Sequence, residues 1–181
     1  MKRKAIFLDR DGVMNHAIIK NGKPYPPYSL AELTIVEDAY LSLSALKAAG
    51  FLLIGATNQP DVARGKTTHA TVAAIHAKLM EELPLDDIRV CYHDDKDQCL
   101  CRKPLPGLLI EAAEQYGIDL QKSFMIGDRF KDIEAGQNAG CKTIWIRYDY
   151  GERAPNQPAD LIASSLKEAT QWIIHTTENE A

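Results

Sequence analysis

The run Ala5-Ile6-Phe7-Leu8-Asp9-Arg10-Asp11-Gly12-Val13 constrains the whole chain, because an unbroken apolar segment stops abruptly at two carboxylates two residues apart. A short stretch that is apolar on every side suits a strand buried on both faces, as in a parallel sheet covered by helices. The end of such a strand would hold Asp9 and Asp11 together, and like charges so placed repel unless a cation neutralises them. Carboxylate oxygens suit Mg²⁺, which keeps coordination positions for water and substrate phosphate. The plain alternative is a turn rich in Asp and Gly. An EF-hand calcium loop is excluded, since Val13 and Met14 stand where an oxygen ligand and the turn glycine belong.

Further apolar runs at 51–57, 88–91, 124–127 and 143–147 join residues 5–9 as candidate strands. Helical patterns separate them. Ala39, Leu43 and Leu46 share a face before Gly50, and Val72, Ile75 and Leu79 repeat at helical spacing between a Thr68 cap and Leu83. Pro106 and Gly117 bracket a third helix, 133–139 with Gly140 reads as a fourth, and Ser165-Leu166-Lys167-Glu168 is a capping box for a fifth. Strands alternating with helices predict an α/β fold with a central parallel sheet, whose ligands bind beyond the carboxyl ends of the strands. Residues 16–36 form a long connection, and the tail after about residue 175 is expected to fray.

The polar clusters all fall at predicted strand ends. Thr57 and Asn58 offer a hydroxyl, an amide and turn N–H groups to phosphate oxygens, Gln59 follows, and Arg64 and Lys66 add two cations. Asp128, between Gly127 and Arg129, is placed to complete a metal site with Asp9 and Asp11. Asp132, four residues on, suits a first helical turn and can orient a metal-bound water. Cys91, His93, Cys99 and Cys101 supply three thiols and an imidazole around a polar Asp-Asp-Lys-Asp-Gln loop, a complete Cys₃His zinc set. Four protein ligands fill a tetrahedron, so that zinc is expected to be structural. Arg102 and Lys103 follow the last ligand at once, a fork and a point charge suited to anionic groups. Cys141 reads as a core residue.

Bulk properties narrow the partners. The 181 residues suit one domain, 1–181, and 21 Lys and Arg against 25 Asp and Glu give a formal net charge of -4, which disfavours nonspecific binding to nucleic acid or anionic membrane. No apolar stretch approaches the roughly 20 residues of a membrane span. The basic start Lys2-Arg3-Lys4 runs straight into a strand, so a cytoplasmic protein is expected.

Taken in order, Asp9-Arg10-Asp11-Gly12-Val13, Thr57-Asn58-Gln59, Lys103, and Gly127-Asp128 with Asp132 resemble the four signature motifs of the haloacid dehalogenase (HAD) superfamily. The Cys₃His loop and Cys-Leu-Cys-Arg-Lys-Pro are similar to those of its histidinol-phosphate and D-glycero-D-manno-heptose 1,7-bisphosphate phosphatases, and Ala63-Arg64-Gly65-Lys66 looks more like the latter. The resemblance implies a three-layer HAD Rossmann-like fold with no large cap domain and a zinc-binding loop at 91–101. It implies Asp9 as nucleophile, Asp11 as general acid/base, and Thr57 and Lys103 on the transferred phosphoryl group. Mg²⁺ would be held by Asp9, the Asp11 carbonyl and Asp128, with Asp132 supporting, while Asn58, Gln59, Arg64, Lys66, Arg102 and Arg129 serve substrate binding. The implied partner is a small phosphorylated sugar and the chain is expected to be a monomer. Histidinol phosphate is the alternative substrate, and a non-catalytic phosphosugar-binding module is the reading from another class.

Overall fold

The computed structural model describes residues 2–179. Six parallel strands form the sheet, in the order β5-β4-β1-β6-β7-β8. β1 (Ala5–Leu8), the most central of the predicted strands, pairs with β4 (Leu52–Asn58) on one side and β6 (Phe124–Gly127) on the other. β5 (Asp87–Cys91) lies outside β4, and β7 (Lys142–Ile146) and β8 (Leu161–Ala163) lie outside β6.

Strand alternation assigns the two faces. Ile6 and Leu8 join a core with Leu43 and Leu46 of α1 (Ala39–Ala48), Ile75 and Leu79 of α2 (His69–Glu82), and Ile173 of α5 (Leu166–Asn179). Ala5 and Phe7 join the opposite core with Leu108, Leu109 and Ala112 of α3 (Gly107–Tyr116). Against that face also packs α4 (Phe130–Ala139), whose Gly136 is so close to Met125 that no Cβ would fit. Four fully buried side chains in sequence make β1 the anchor of both layers, at roughly 1.5–3 kcal/mol for each large one. The chain winds from β1 out to β5, then returns to β6 across β1. This switch point opens a crevice at the strand ends.

Several boundaries differ from the sequence reading. α4 starts at Phe130 rather than 133, because the Asp132 carboxylate accepts the Arg129 N–H at 3.0 Å and begins the helix earlier than the apolar pattern does. The connection 16–36 contains a hairpin, β2 (Ile18–Lys20) and β3 (Lys23–Tyr25), separate from the main sheet. Its loop is Asn21-Gly22 with φ of 51° and 73°, the backbone that a two-residue type I′ turn requires. α5 continues to Asn179, into the tail expected to fray, and the last two residues lie outside the described ones. β8, three residues long, is too short for periodicity to reveal. There is no large cap among the described residues, and none of their helices is long and apolar enough to cross a membrane.

Candidate active site

The crevice gathers the motif residues. Asp9 follows the last residue of β1 and is buried; its N–H donates to Ile126 O of β6 at 2.9 Å. Lys103, only 2 % exposed, reaches it from beyond β5, with Nζ 2.7 Å from Asp9 Oδ1 and 2.6 Å from Asp132 Oδ1. Asn58 fixes the backbone that delivers this lysine. Its amide donates to Lys103 O at 3.0 Å and its Oδ1 accepts the Lys103 N–H at 3.1 Å. Burial opposes charge on Lys103, yet Asp132 and Asp9 outweigh it and raise its pKa, so the ammonium persists. Burial pushes Asp9 up to about 6, against the pull of Lys103 and with the push of Asp132 and Asp11.

Asp128 follows β6, and its carboxylate lies with those of Asp9 and Asp132 in a buried group whose oxygens come within 4.8 Å of one another. The backbone must approach closely here: a Cβ on Gly12, where φ is +90°, would collide with the Asp128 carboxylate, and one on Gly127 would collide with Asp132. Asp132 is fully engaged, by Lys103 on Oδ1 and the Arg129 N–H on Oδ2. Asp128 Oδ2 accepts from the Tyr150 hydroxyl at 2.9 Å, but Asp128 Oδ1 is buried without a partner. Burial raises the Asp128 pKa well above the ordinary range, with Asp9 and Asp132 adding to it. Crowded carboxylates, an orphaned oxygen and one lysine leave the group short of positive charge, and hard oxygen donors suit Mg²⁺.

Asp11 faces a different set of groups. Arg10, fully buried, donates to both of its oxygens at 3.1 and 3.0 Å; Asn15 donates to Oδ1 and Gln59 to Oδ2, each at 2.9 Å. Gln59 also donates to Thr57 Oγ1 at 3.0 Å. Behind them, His76 Nε2 lies 3.3 Å from Arg10 Nη1, and burial with the nearby guanidinium lowers its pKa to about 4, which leaves the ring neutral.

Cys91, His93, Cys99 and Cys101 converge at the end of β5. Their ligand atoms are separated by 3.6 Å (Cys91 to His93), 3.7 Å (Cys91 to Cys99), 3.4 Å (His93 to Cys101), 3.1 Å (Cys91 to Cys101) and 3.5 Å (Cys99 to Cys101). All three thiols are free, and near-equal edges of this length enclose a tetrahedral position of zinc-thiolate size.

Above the carboxylates lies a cleft of about 490 Å³. Asp9, Asp11, Asn58, Gln59, Lys103, Asp128 and Asp132 form its floor, and Arg64, Lys66 and Arg129 line its wall. Arg64 is held by Asp94 and Asp61, Lys66 lies 3.6 Å from Asp61, and Arg129 pairs with Glu152. Arg102 is turned toward the cysteine loop, where Asp95 Oδ1 at 2.7 Å and His93 O at 3.2 Å accept from it, and it is not among the residues lining the cleft. Thr57, buried beneath Gln59, is not among them either. The wall also includes Lys23 and Tyr25 of the hairpin, within the long connection 16–36, and Lys131 and Tyr150, which sequence reasoning missed. The Asn21-Gly22 dipeptide was the available signal for the first two.

Residues 100–169 match the family model described as "HAD-hyrolase-like". The D-glycero-beta-D-manno-heptose-1,7-bisphosphate 7-phosphatase of Pseudomonas aeruginosa is 33% identical over 163 residues, covering 87% of this chain and 89% of that protein. The D-glycero-alpha-D-manno-heptose-1,7-bisphosphate 7-phosphatase of Campylobacter jejuni is 33% identical over 147 residues, covering 80% and 82%. The crystal structure of D,D-heptose 1,7-bisphosphate phosphatase from B. bronchiseptica, complexed with magnesium and phosphate, superimposes with a TM-score of 0.81 at 29% identity, covering 96% of this chain and 99% of that one. With its parallel sheet, its strand-end carboxylates and these relatives, the chain belongs to the HAD superfamily of phosphatases, in the subgroup of heptose 1,7-bisphosphate and histidinol-phosphate phosphatases.

Proposed function

We propose that this phosphatase is Mg²⁺-dependent and removes the 7-phosphate of D-glycero-D-manno-heptose 1,7-bisphosphate through an aspartyl-phosphate on Asp9, with structural zinc in the loop 91–101. One observation carries the substrate reading. A single cleft joins the buried Asp9 and Lys103 at its floor to Lys23, Arg64, Lys66 and Lys131 on its walls, so one ligand can meet cations at both of its ends. The heptose-bisphosphate activity named for its relatives supports the same choice.

Asp9 attacks phosphorus while the P–O bond to the sugar breaks, and Asp11 gives its proton to the departing oxygen. Asp11 then takes a proton from the water that attacks the Asp9-bound phosphoryl group, which frees Asp9 and inorganic phosphate. Lys103 holds the phosphoryl oxygens throughout. Thr57 accepts from Gln59 and so holds that side chain at the floor of the cleft. Asp9, Asp128 and the Asp11 carbonyl hold Mg²⁺, and Asp132 keeps Lys103 in place. When bound, Mg²⁺ supplies positive charge to the phosphoryl oxygens. Arg64, Lys66 and Arg129 meet the remainder of the substrate.

Phosphate release from both anomers of heptose 1,7-bisphosphate and from histidinol phosphate tests the substrate. The expected kcat/KM is at least about 10²-fold higher for a bisphosphate, since histidinol phosphate leaves the wall cations unmatched and adds an amine. Preference for histidinol phosphate would refute the heptose assignment.

The two metals are expected to act on different timescales. Withdrawing Mg²⁺ should stop turnover within mixing time and reversibly, whereas a zinc chelator should act slowly, as the segment 91–101 loses its order. Metal analysis alongside activity time courses checks this, and superimposable time courses contradict separate roles.

A further inference from the structure

Tyr150 sits between β7 and β8, outside the four motifs, on a segment tied down along its length. Arg153 grips Glu134 at 2.8 and 3.0 Å and covers the Phe130 ring 3.8 Å from its centroid. Glu152 pairs with Arg129, and the Gln137 amide donates to the carbonyls of Gln157 and Pro158 at 3.2 and 3.1 Å. The Tyr150 ring stacks on Tyr148, with centroids 5.4 Å apart and planes inclined by 23°. So fixed, its hydroxyl donates to Asp128 Oδ2 at 2.9 Å.

Asp128 is constrained from other directions too. Trp145 Nε1 donates to its main-chain carbonyl at 2.9 Å, and the bare α-carbon of Gly12 leaves room for its carboxylate and for nothing larger. The remaining oxygen, Oδ1, is buried and has no partner. A carboxylate with one oxygen occupied by a fixed donor and the other bare is one whose rotation has been chosen in advance.

We propose that Tyr150 is the positioning residue of the metal site: by engaging Asp128 Oδ2 it turns Oδ1 toward the bound cation. The inference rests on the Mg²⁺ reading given above. An outer donor of this kind typically changes metal affinity by about 10- to 100-fold.

The test is a calorimetric titration of Mg²⁺ into the full chain without substrate, comparing wild type, Tyr150→Phe and Asp128→Asn, with Tm measured before and after Mg²⁺ addition. Tyr150→Phe keeps the stacked ring and removes only the hydroxyl. Its Mg²⁺ Kd is expected to rise by about 10-fold or more. Its Mg²⁺-free Tm should stay near that of the wild type, and kcat should recover at saturating Mg²⁺. A second variant, Arg153→Met, frees the segment without touching Tyr150 and is expected to weaken Mg²⁺ in the same direction. An unchanged Mg²⁺ Kd in Tyr150→Phe overturns the proposal, and a raised substrate KM beside it would make Tyr150 a substrate contact. A wild type that binds no more Mg²⁺ than Asp128→Asn overturns the metal reading, and this inference with it.

Discussion

Asp9→Asn is expected to lower kcat by about four to six orders of magnitude and to leave the Mg²⁺-free protein at least as stable as the wild type. The amide keeps the shape of the carboxylate but cannot attack phosphorus, so what survives is the catalysis that binding and Lys103 supply without a covalent step. The stability half follows from crowding. Asp9 shares a buried space with Asp128 and Asp132 against the single charge of Lys103, and burial holds its pKa up at about 6. Below the ordinary carboxylate value the folded and unfolded chains both carry the proton. Between that value and about 6 the unfolded chain loses it first, so the wild type becomes less stable as pH rises through this window. Asn is exempt, and without Mg²⁺ the variant should gain on the wild type across that interval. Single-turnover kinetics and Mg²⁺-free melting curves against pH check both halves. A kcat within tenfold of wild type would rule out Asp9 as nucleophile.

Lys103→Met is expected to cost about 3–5 kcal/mol of stability and to reduce turnover by about 10²- to 10³-fold. The lysine is 2 % exposed and answers two carboxylates within 2.7 Å. Removing it leaves Asp9 and Asp132 buried beside Asp128 with no compensating charge. The surface pair Lys78 and Glu82, 2.6 Å apart across one helical turn, contributes far less despite equal closeness, because water screens both ends. A second change, Asp132→Asn, made on top of Lys103→Met should return part of the stability and none of the activity. Urea unfolding of the single and double variants reads the first effect, and phosphate release reads the second. An additive loss in the double variant would show that the two residues do not share a charge.

What could be read from the sequence was what strand ends impose locally. Ala5-Ile6-Phe7-Leu8 identified a strand buried on both faces, and the residues just past it and its neighbours do meet at one rim. The four zinc-type ligands needed only proximity along the chain, and their side chains converge. Contacts made by the chain's return were hidden. Nothing near Tyr150 announces that it reaches Asp128, since that depends on Arg153 binding Glu134 and on Phe130 lying beneath it. Arg10, given no role in the sequence, is fully buried and braces Asp11, with a neutral His76 of α2 behind it. Arg102 differs in the opposite sense: beside Lys103 it reads as a cleft cation, but Asp95 and the His93 carbonyl hold it against the cysteine loop. The hairpin was obscured because Pro24 argues against a strand, although in a two-stranded ribbon its missing N–H is tolerated.

That ribbon hydrogen-bonds to no strand of the six-stranded sheet, yet Lys23 and Tyr25 form part of the wall of the cleft. Asp9 and Asp128, to which the proposed hydrolysis is assigned, are buried and directly follow β1 and β6, where a change disturbs folding. Lys23 and Tyr25 belong to neither strand. What this scaffold accepts and what it does are therefore written in separable stretches of sequence, and residues 18–25 are where a new preference could evolve while the hydrolytic machinery stays as it is.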